Sequence, residues 1–267
     1  MLISFSTVGC PRWSWADIVS TAHDLGYQGI EVRGVGKDIS VPSVPAFGAD
    51  QIDATKANLA ALGLSISCLA SDCCLHLAET AERTQAEMRA YIDLAQSLGA
   101  PYVRVMATDA VPQPTGTVDE GVIIAQAQAI APYAAEKGVT LLIETNGVWA
   151  DSARLAGLLT RIAHPAFAAL WDVHHPYRYM GERPADTYQR LAPFIRHVHL
   201  KDSVSEGGQI QYRMLGNGDL PLTEAITVLE NGSYTGFYCL EWVKRWNVSL
   251  EEPGIVFAHY VNYMQSL

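Results

Sequence analysis

Short apolar runs alternate with amphipathic stretches from one end of the chain to the other, and this alternation narrows the choice of fold more than any other feature. The runs are Leu2–Ser6, Gln28–Arg33, Ser65–Ala70, Tyr102–Met106, Thr140–Glu144, Ala168–Asp172, Arg196–Lys201 and Phe237–Glu241, each of strand length. Helical patterns lie between them, over Ser14–Leu25, Gln51–Leu62, Glu79–Leu98, Val118–Lys137, Ser152–Ala163, Ala185–Ala192 and Leu222–Glu230. A last helix covers about Pro253–Met264. Four of these patterns run into a glycine just before the next strand, at Gly26, Gly63, Gly99 and Gly138. Glycine suits the left-handed residue that ends a helix ahead of a sharp turn. Strands separated by helices need crossover connections and therefore form a parallel sheet. Eight such units predict an α/β fold, a closed (β/α)₈ TIM barrel. An open doubly wound sheet would want a glycine-rich phosphate turn after its first strand, and Thr7-Val8-Gly9-Cys10-Pro11 is not one. No linker or low-complexity segment interrupts the pattern, so residues 1–267 read as one barrel domain.

In such barrels the chemistry gathers where the strands end, at the C-terminal face. The fifth run ends on Glu144, the sixth on Asp172 and the eighth on Glu241, while His199 lies near the end of the seventh. Four successive strands thus aim a carboxylate or an imidazole at one mouth. Three carboxylates brought together without neutralisation raise one another's pKa, and a bound cation removes that conflict. Glu144, Asp172, His199 and Glu241 are therefore candidate ligands of one divalent metal. Three oxygens and one imidazole suit Mn²⁺ in the first place, with Mg²⁺ or Co²⁺ as alternatives. Zn²⁺ stays open, although it ordinarily takes more nitrogen or sulfur.

Other polar residues surround the same mouth. His175 follows Asp172 by three positions, and Lys201 and His197 share the inward face with His199. Asn146, Trp149, Trp242 and Trp246 offer polar and stacking walls for a sugar-like ligand. Glu31 and Arg33 end the second run, His76 follows the third, and Arg213 lies in the long loop after the seventh. His175, Arg213, Lys201, Asn146, His76 and Glu31 make up the candidate substrate-binding set.

The chain carries 18 Lys and Arg against 28 Asp and Glu, a net charge of −10. An acidic surface repels phosphate backbones and anionic lipid, so neither nucleic acid nor a membrane is expected as a partner. The five cysteines form no CxxC pair and read as reduced thiols. The first residues show neither a signal peptide nor a transmembrane run, which leads to a cytoplasmic expectation. Homo-oligomerisation stays open.

These residues carry a resemblance that spans essentially the whole chain. The segments GYQGIEVR (Gly26–Arg33), LLIETN (Leu141–Asn146), LWDVHH (Leu170–His175), HVHLKD (His197–Asp202), LGNGDLP (Leu215–Pro221) and CLEW (Cys239–Trp242) resemble the xylose-isomerase-like TIM-barrel superfamily of sugar phosphate isomerases and epimerases. The resemblance implies metal ligands at Glu144, Asp172, His199 and Glu241, and substrate contacts at His175 and Arg213. Ketose 3-epimerases of that superfamily carry a further glutamate shortly after the fifth-strand ligand, whereas Thr145–Ala150 contains no acid. Endonuclease IV shares the barrel but needs a three-metal cluster with more histidines, and the fourth run here ends Val103-Arg104-Val105-Met106.

The expected activity is that of a metal-dependent isomerase or epimerase on a ketose or keto-polyol. Glu144 and Glu241 would exchange a proton at the carbon beside a polarised carbonyl. The alternative is a dehydratase using the same site on an inosose- or dehydroshikimate-like substrate. A sugar or polyol is the expected small-molecule partner.

Overall fold

The computed structural model describes residues 1–109 and 113–267. Eight parallel strands close into a barrel. They are β1 (Leu2–Ser6), β2 (Gly29–Val32), β3 (Ser65–Cys74), β4 (Tyr102–Met106), β5 (Thr140–Glu144), β6 (Phe167–Asp172), β7 (Ile195–Leu200) and β10 (Phe237–Leu240). The remaining pair, β8 (Asp202–Glu206) and β9 (Gln209–Arg213), forms an antiparallel hairpin between β7 and β10. β1 pairs with both β2 and β10, which shuts the barrel.

The helices that cover the strands are α1 (Trp15–Asp24), α2 (Ile52–Ala61), α3 (Ala81–Leu98), α4 (Glu120–Glu136), α5 (Ser152–Ile162), α7 (Pro184–Leu191), α8 (Leu222–Asn231) and α9 (Pro253–Gln265). A short helix, α6 (His174–Met180), starts directly after β6. Local chemistry sets several boundaries. Ser14 and Asp17 form a reciprocal capping box at the start of α1. The Asp119 carboxylate accepts from two backbone N–H groups of α4, and Asp151 does the same for one of α5. Gly26, Gly63, Gly99 and Gly138 all have positive φ, as a helix stop ahead of a strand requires.

Alternation along the strands divides the core into two layers. Ile3, Phe5, Ile30, Val32, Val103, Val105, Leu141, Ile143, Trp171, Val198 and Leu200 face outward and pack in the main hydrophobic cluster with the helices. Inside the barrel, Leu142, Ala168 and Leu170 form a small separate cluster with Tyr102 against it. Because these residues precede Glu144 and Asp172 on their strands, they plug the barrel on its N-terminal side. Polar residues share this interior: Arg104 is in register with Leu142 and His197 with Leu170, and Glu31 and His199 are buried with them. Barrels usually fill their interior with branched aliphatics. Buried charge requires partners, and the geometry of the mouth supplies them.

Candidate metal centre and substrate cavity

Glu144 and Asp172 terminate β5 and β6, His199 is the fifth residue of β7, and Glu241 follows β10 directly. One ligand atom from each lies within 4.8 Å of the others. The Nδ1 atom of His199 faces the three carboxylates, 3.7 Å from Glu144 Oε1, 3.5 Å from Glu241 Oε1 and 4.0 Å from Asp172 Oδ2. Its other nitrogen, Nε2, is 2.8 Å from Glu31 Oε2, and His197 Nε2 is 3.1 Å from the same oxygen. Glu31 thus lies beneath the centre and fixes which edge of the His199 ring looks up. A register shift between Ile30 and Glu31 in the β2–β3 pairing accompanies that position.

Hydrogen bonds hold the carboxylates in place. Thr145 Oγ1 donates to the Asp172 carbonyl and accepts from the Asp172 N–H. The His174 N–H donates to Asp172 Oδ1 at 2.9 Å. Lys201 Nζ stands 2.6 Å from Asp172 Oδ2 as an ion pair and donates to Glu241 Oε2. Arg104 Nε lies 3.7 Å from Glu144 Oε2.

Burial alone would push these acids up and these bases down, and mutual charge reverses the direction. Burial opposes ionisation of Glu144, yet His199 and Arg104 hold its carboxyl well below the usual range. Glu241 is lowered against the same burial by Lys201 and His199. His199 is raised well above an ordinary imidazole, because Glu31 and Glu241 outweigh its desolvation. Asp172 likewise outweighs burial at Lys201 and raises it well above a normal lysine.

Among the described residues the buried His199 Nδ1 has no hydrogen-bond partner and points into the cluster, while Asp172 Oδ2 meets the Lys201 ammonium. Unpaired buried polar atoms of this kind are uncommon. Three oxygen donors around one imidazole, whose unpartnered Nδ1 faces all three, fit a divalent ion.

A cavity of about 640 Å³ opens above the cluster. Of the candidate substrate-binding residues, His175, Lys201 and Asn146 line it beside Glu144 and Glu241. The other three do not. Glu31 is sealed beneath His199. His76 pairs with the exposed Asp109 at 3.2 Å. Arg213 turns back along its own hairpin to Gln211 Oε1 at 2.6 Å, and its neighbour Tyr212 lines the cavity instead. Trp149 and Trp242 are buried, each donating its indole N–H to a backbone carbonyl, whereas Trp246 reaches the cavity rim. Sequence reasoning gave no role to Arg104, Asp72 or Tyr212, all of which line the wall. Arg104 had a signal: it is a charged residue in the middle of an apolar strand, at an inward position.

The profile of the family described as "Xylose isomerase-like TIM barrel" matches residues 19–258. The chain belongs to this family. Among known proteins it is similar to fructoselysine 3-epimerase of Shigella flexneri, 23% identical over 243 residues, which cover 88% of this chain and 86% of that one. Two solved structures share the fold. One is a probable 3-DHS dehydratase from Bacillus anthracis, with a TM-score of 0.82, 20% identity and 99% of each chain covered. The other is a xylose isomerase-like TIM barrel protein from Mycobacterium smegmatis in complex with magnesium, with a TM-score of 0.75, 18% identity and coverage of 98% of this chain and 94% of that one. Among the described residues no helix is long and apolar enough to cross a membrane.

Proposed function

We propose that this family member is a divalent-metal-dependent sugar isomerase or epimerase, with Glu144, Asp172, His199 and Glu241 holding the ion. The observation that carries the reading is the convergence of three carboxylates on the Nδ1 edge of His199 at the base of a cavity large enough for a sugar. Similarity to a fructoselysine 3-epimerase supports the reaction class. When bound, a divalent ion supplies Lewis acidity, which makes a C–H bond beside a carbonyl acidic.

The chain's own groups do the rest. Glu144, at the end of β5, and Glu241, just after β10, both face His199 Nδ1 and line the cavity, so one takes the proton and the other, or water, returns it. The Nδ1–H of His175 donates to the Thr145 carbonyl at 2.8 Å, which leaves Nε2 to accept from a substrate hydroxyl. Asn146 and Lys201 orient the remaining oxygens. The first test is solvent-deuterium uptake into a ketose panel with the Mn²⁺-loaded protein. Glu144→Gln and Glu241→Gln are each expected to lose exchange, by roughly two orders of magnitude or more, as loss of a general base does. Full-rate exchange in both variants with the metal retained would sink the proposal.

One observation keeps a second reading. Lys201 holds an ammonium between Asp172 and Glu241, where it could protonate a departing hydroxyl. With a glutamate removing the neighbouring proton, the same site would then expel water as a dehydratase. A new ultraviolet chromophore in the product would select this reaction.

A further inference from the structure

We propose that the substrate carries an anionic group of the carboxylate class, gripped by Arg33 on the wall facing the proposed metal ligands. This rests on the cavity being the substrate site. The wall has two chemistries because of strand order. The carboxylates and His199 come from β5, β6, β7 and the end of β10. Arg33 follows β2, Asp72 lies on β3 and Arg104 on β4, three adjacent strands of the barrel, and all three residues line the cavity.

Arg33 is only 6% exposed and Arg104 only 7%. A buried guanidinium is costly unless its donors are satisfied. Arg104 faces the Glu144 carboxylate, its Nε 3.7 Å from Oε2, yet among the described residues Arg33 Nη1 has no hydrogen-bond partner. The other end of Arg33 pairs with Asp72, whose side chain is half exposed. The carboxylates of Glu31, Glu144, Asp172 and Glu241 would be balanced in charge by the proposed divalent ion together with Lys201 and Arg104. Arg33 is then opposed by Asp72 alone, whose half-exposed carboxylate lines the cavity beside it. A carboxylate presents two acceptors in the plane of a guanidinium fork, whereas a sugar hydroxyl presents one and leaves the charge unanswered. The Trp246 ring, 5.6 Å from the Arg33 guanidinium carbon, flanks the same spot.

The test needs no turnover. D-Gluconate and D-glucitol differ by one carboxylate and lack a reacting carbonyl, so calorimetric titration of the Mn²⁺-loaded chain compares binding alone. Gluconate is expected to bind roughly tenfold tighter or more, the scale of one charge-assisted pair. Arg33→Gln should close the gap, and Asp72→Asn, which removes the competing carboxylate, should widen it. Equal affinities in the unaltered protein would overturn the proposal. So would a preference undiminished in Arg33→Gln, which would put the carboxylate on the metal, or a weaker preference in Asp72→Asn. The last arm decides the matter even if Arg33→Gln does not fold. Failure of the isomerase reading is detected separately, by absent deuterium exchange, and leaves this binding comparison intact.

Discussion

Glu31 occupies a place where a barrel core would ordinarily hold an aliphatic side chain, and it meets the proposed metal centre through His199. Burial should favour its neutral form, but His199 and His197 hold its carboxyl well below the usual range. Glu31→Gln keeps the shape and removes the charge that orients His199. Loss of such an outer partner typically costs 10–100-fold in metal affinity. We expect a fall of about that size in Mn²⁺ titrations, and unchanged affinity would remove Glu31 from the centre. A pH effect follows from His199. Its proton is held well above the imidazole value of 6.5, and an ion on Nδ1 must displace it. Metal binding should therefore weaken as pH falls and release a proton, measurable by calorimetry in buffers of different ionisation heat. The metal-free protein should show the opposite slope. A raised imidazole pKa stabilises the fold fully below the unfolded value, and that stability is lost as pH rises through the folded value. Urea midpoints measured in chelator should thus decline above about pH 6.5. The cluster of Glu144, Asp172, His199 and Glu241 was legible in the sequence because each puts a polar group at or near a strand end. The downward placement of Glu31 was not, since alternation gives the face of a strand but not which neighbour a side chain will meet.

At the scale of elements, the boundaries that were readable are those with their own local chemistry. Ser14, the four helix-ending glycines and the apolar runs all marked them. β3 extends to Cys74, beyond the apolar run that ends at Ala70, because it pairs again with β4 after an irregularity between Ala70 and Cys74. The β8–β9 hairpin did carry a mark, in Gly207-Gly208, both with positive φ at its turn. Helix α5 ends differently from the glycine-stopped helices: Ala163 takes the left-handed position, with φ of 53°. An alanine there bears a steric penalty that glycine avoids, partly offset by the greater freedom of glycine in the unfolded chain. Ala163→Gly should raise the unfolding free energy by about 0.5–1 kcal/mol in urea titration. A loss of stability would mean that the methyl group packs usefully.

Over the whole molecule, the sequence disclosed the barrel because each β/α unit repeats the same physical pattern. It could not disclose how the mouth divides into two chemistries, which depends on strand order in space. Closure also ties the proposed centre to global stability, since its candidate ligands come from strands on both sides of the β7–β10 contact. An ion that binds only the folded chain stabilises it by about 2.7 kcal/mol at a hundred times its Kd. For a chain of this size that is an upward shift in Tm of about 5–10 °C. Thermal scans with Mn²⁺ should show it, and His199→Ala should abolish it. An equal shift in the variant would mean that the ion binds elsewhere.

The plug of Leu142, Ala168 and Leu170 also has a kinetic consequence. It blocks passage along the barrel axis, so the chamber has one door. On the proposed function, whatever is made in the cavity must leave by the route its precursor used, and a lingering product bars the next arrival. In steady state, product should therefore behave as a competitive inhibitor, and for a reversible interconversion the two compounds become rivals for a single threshold.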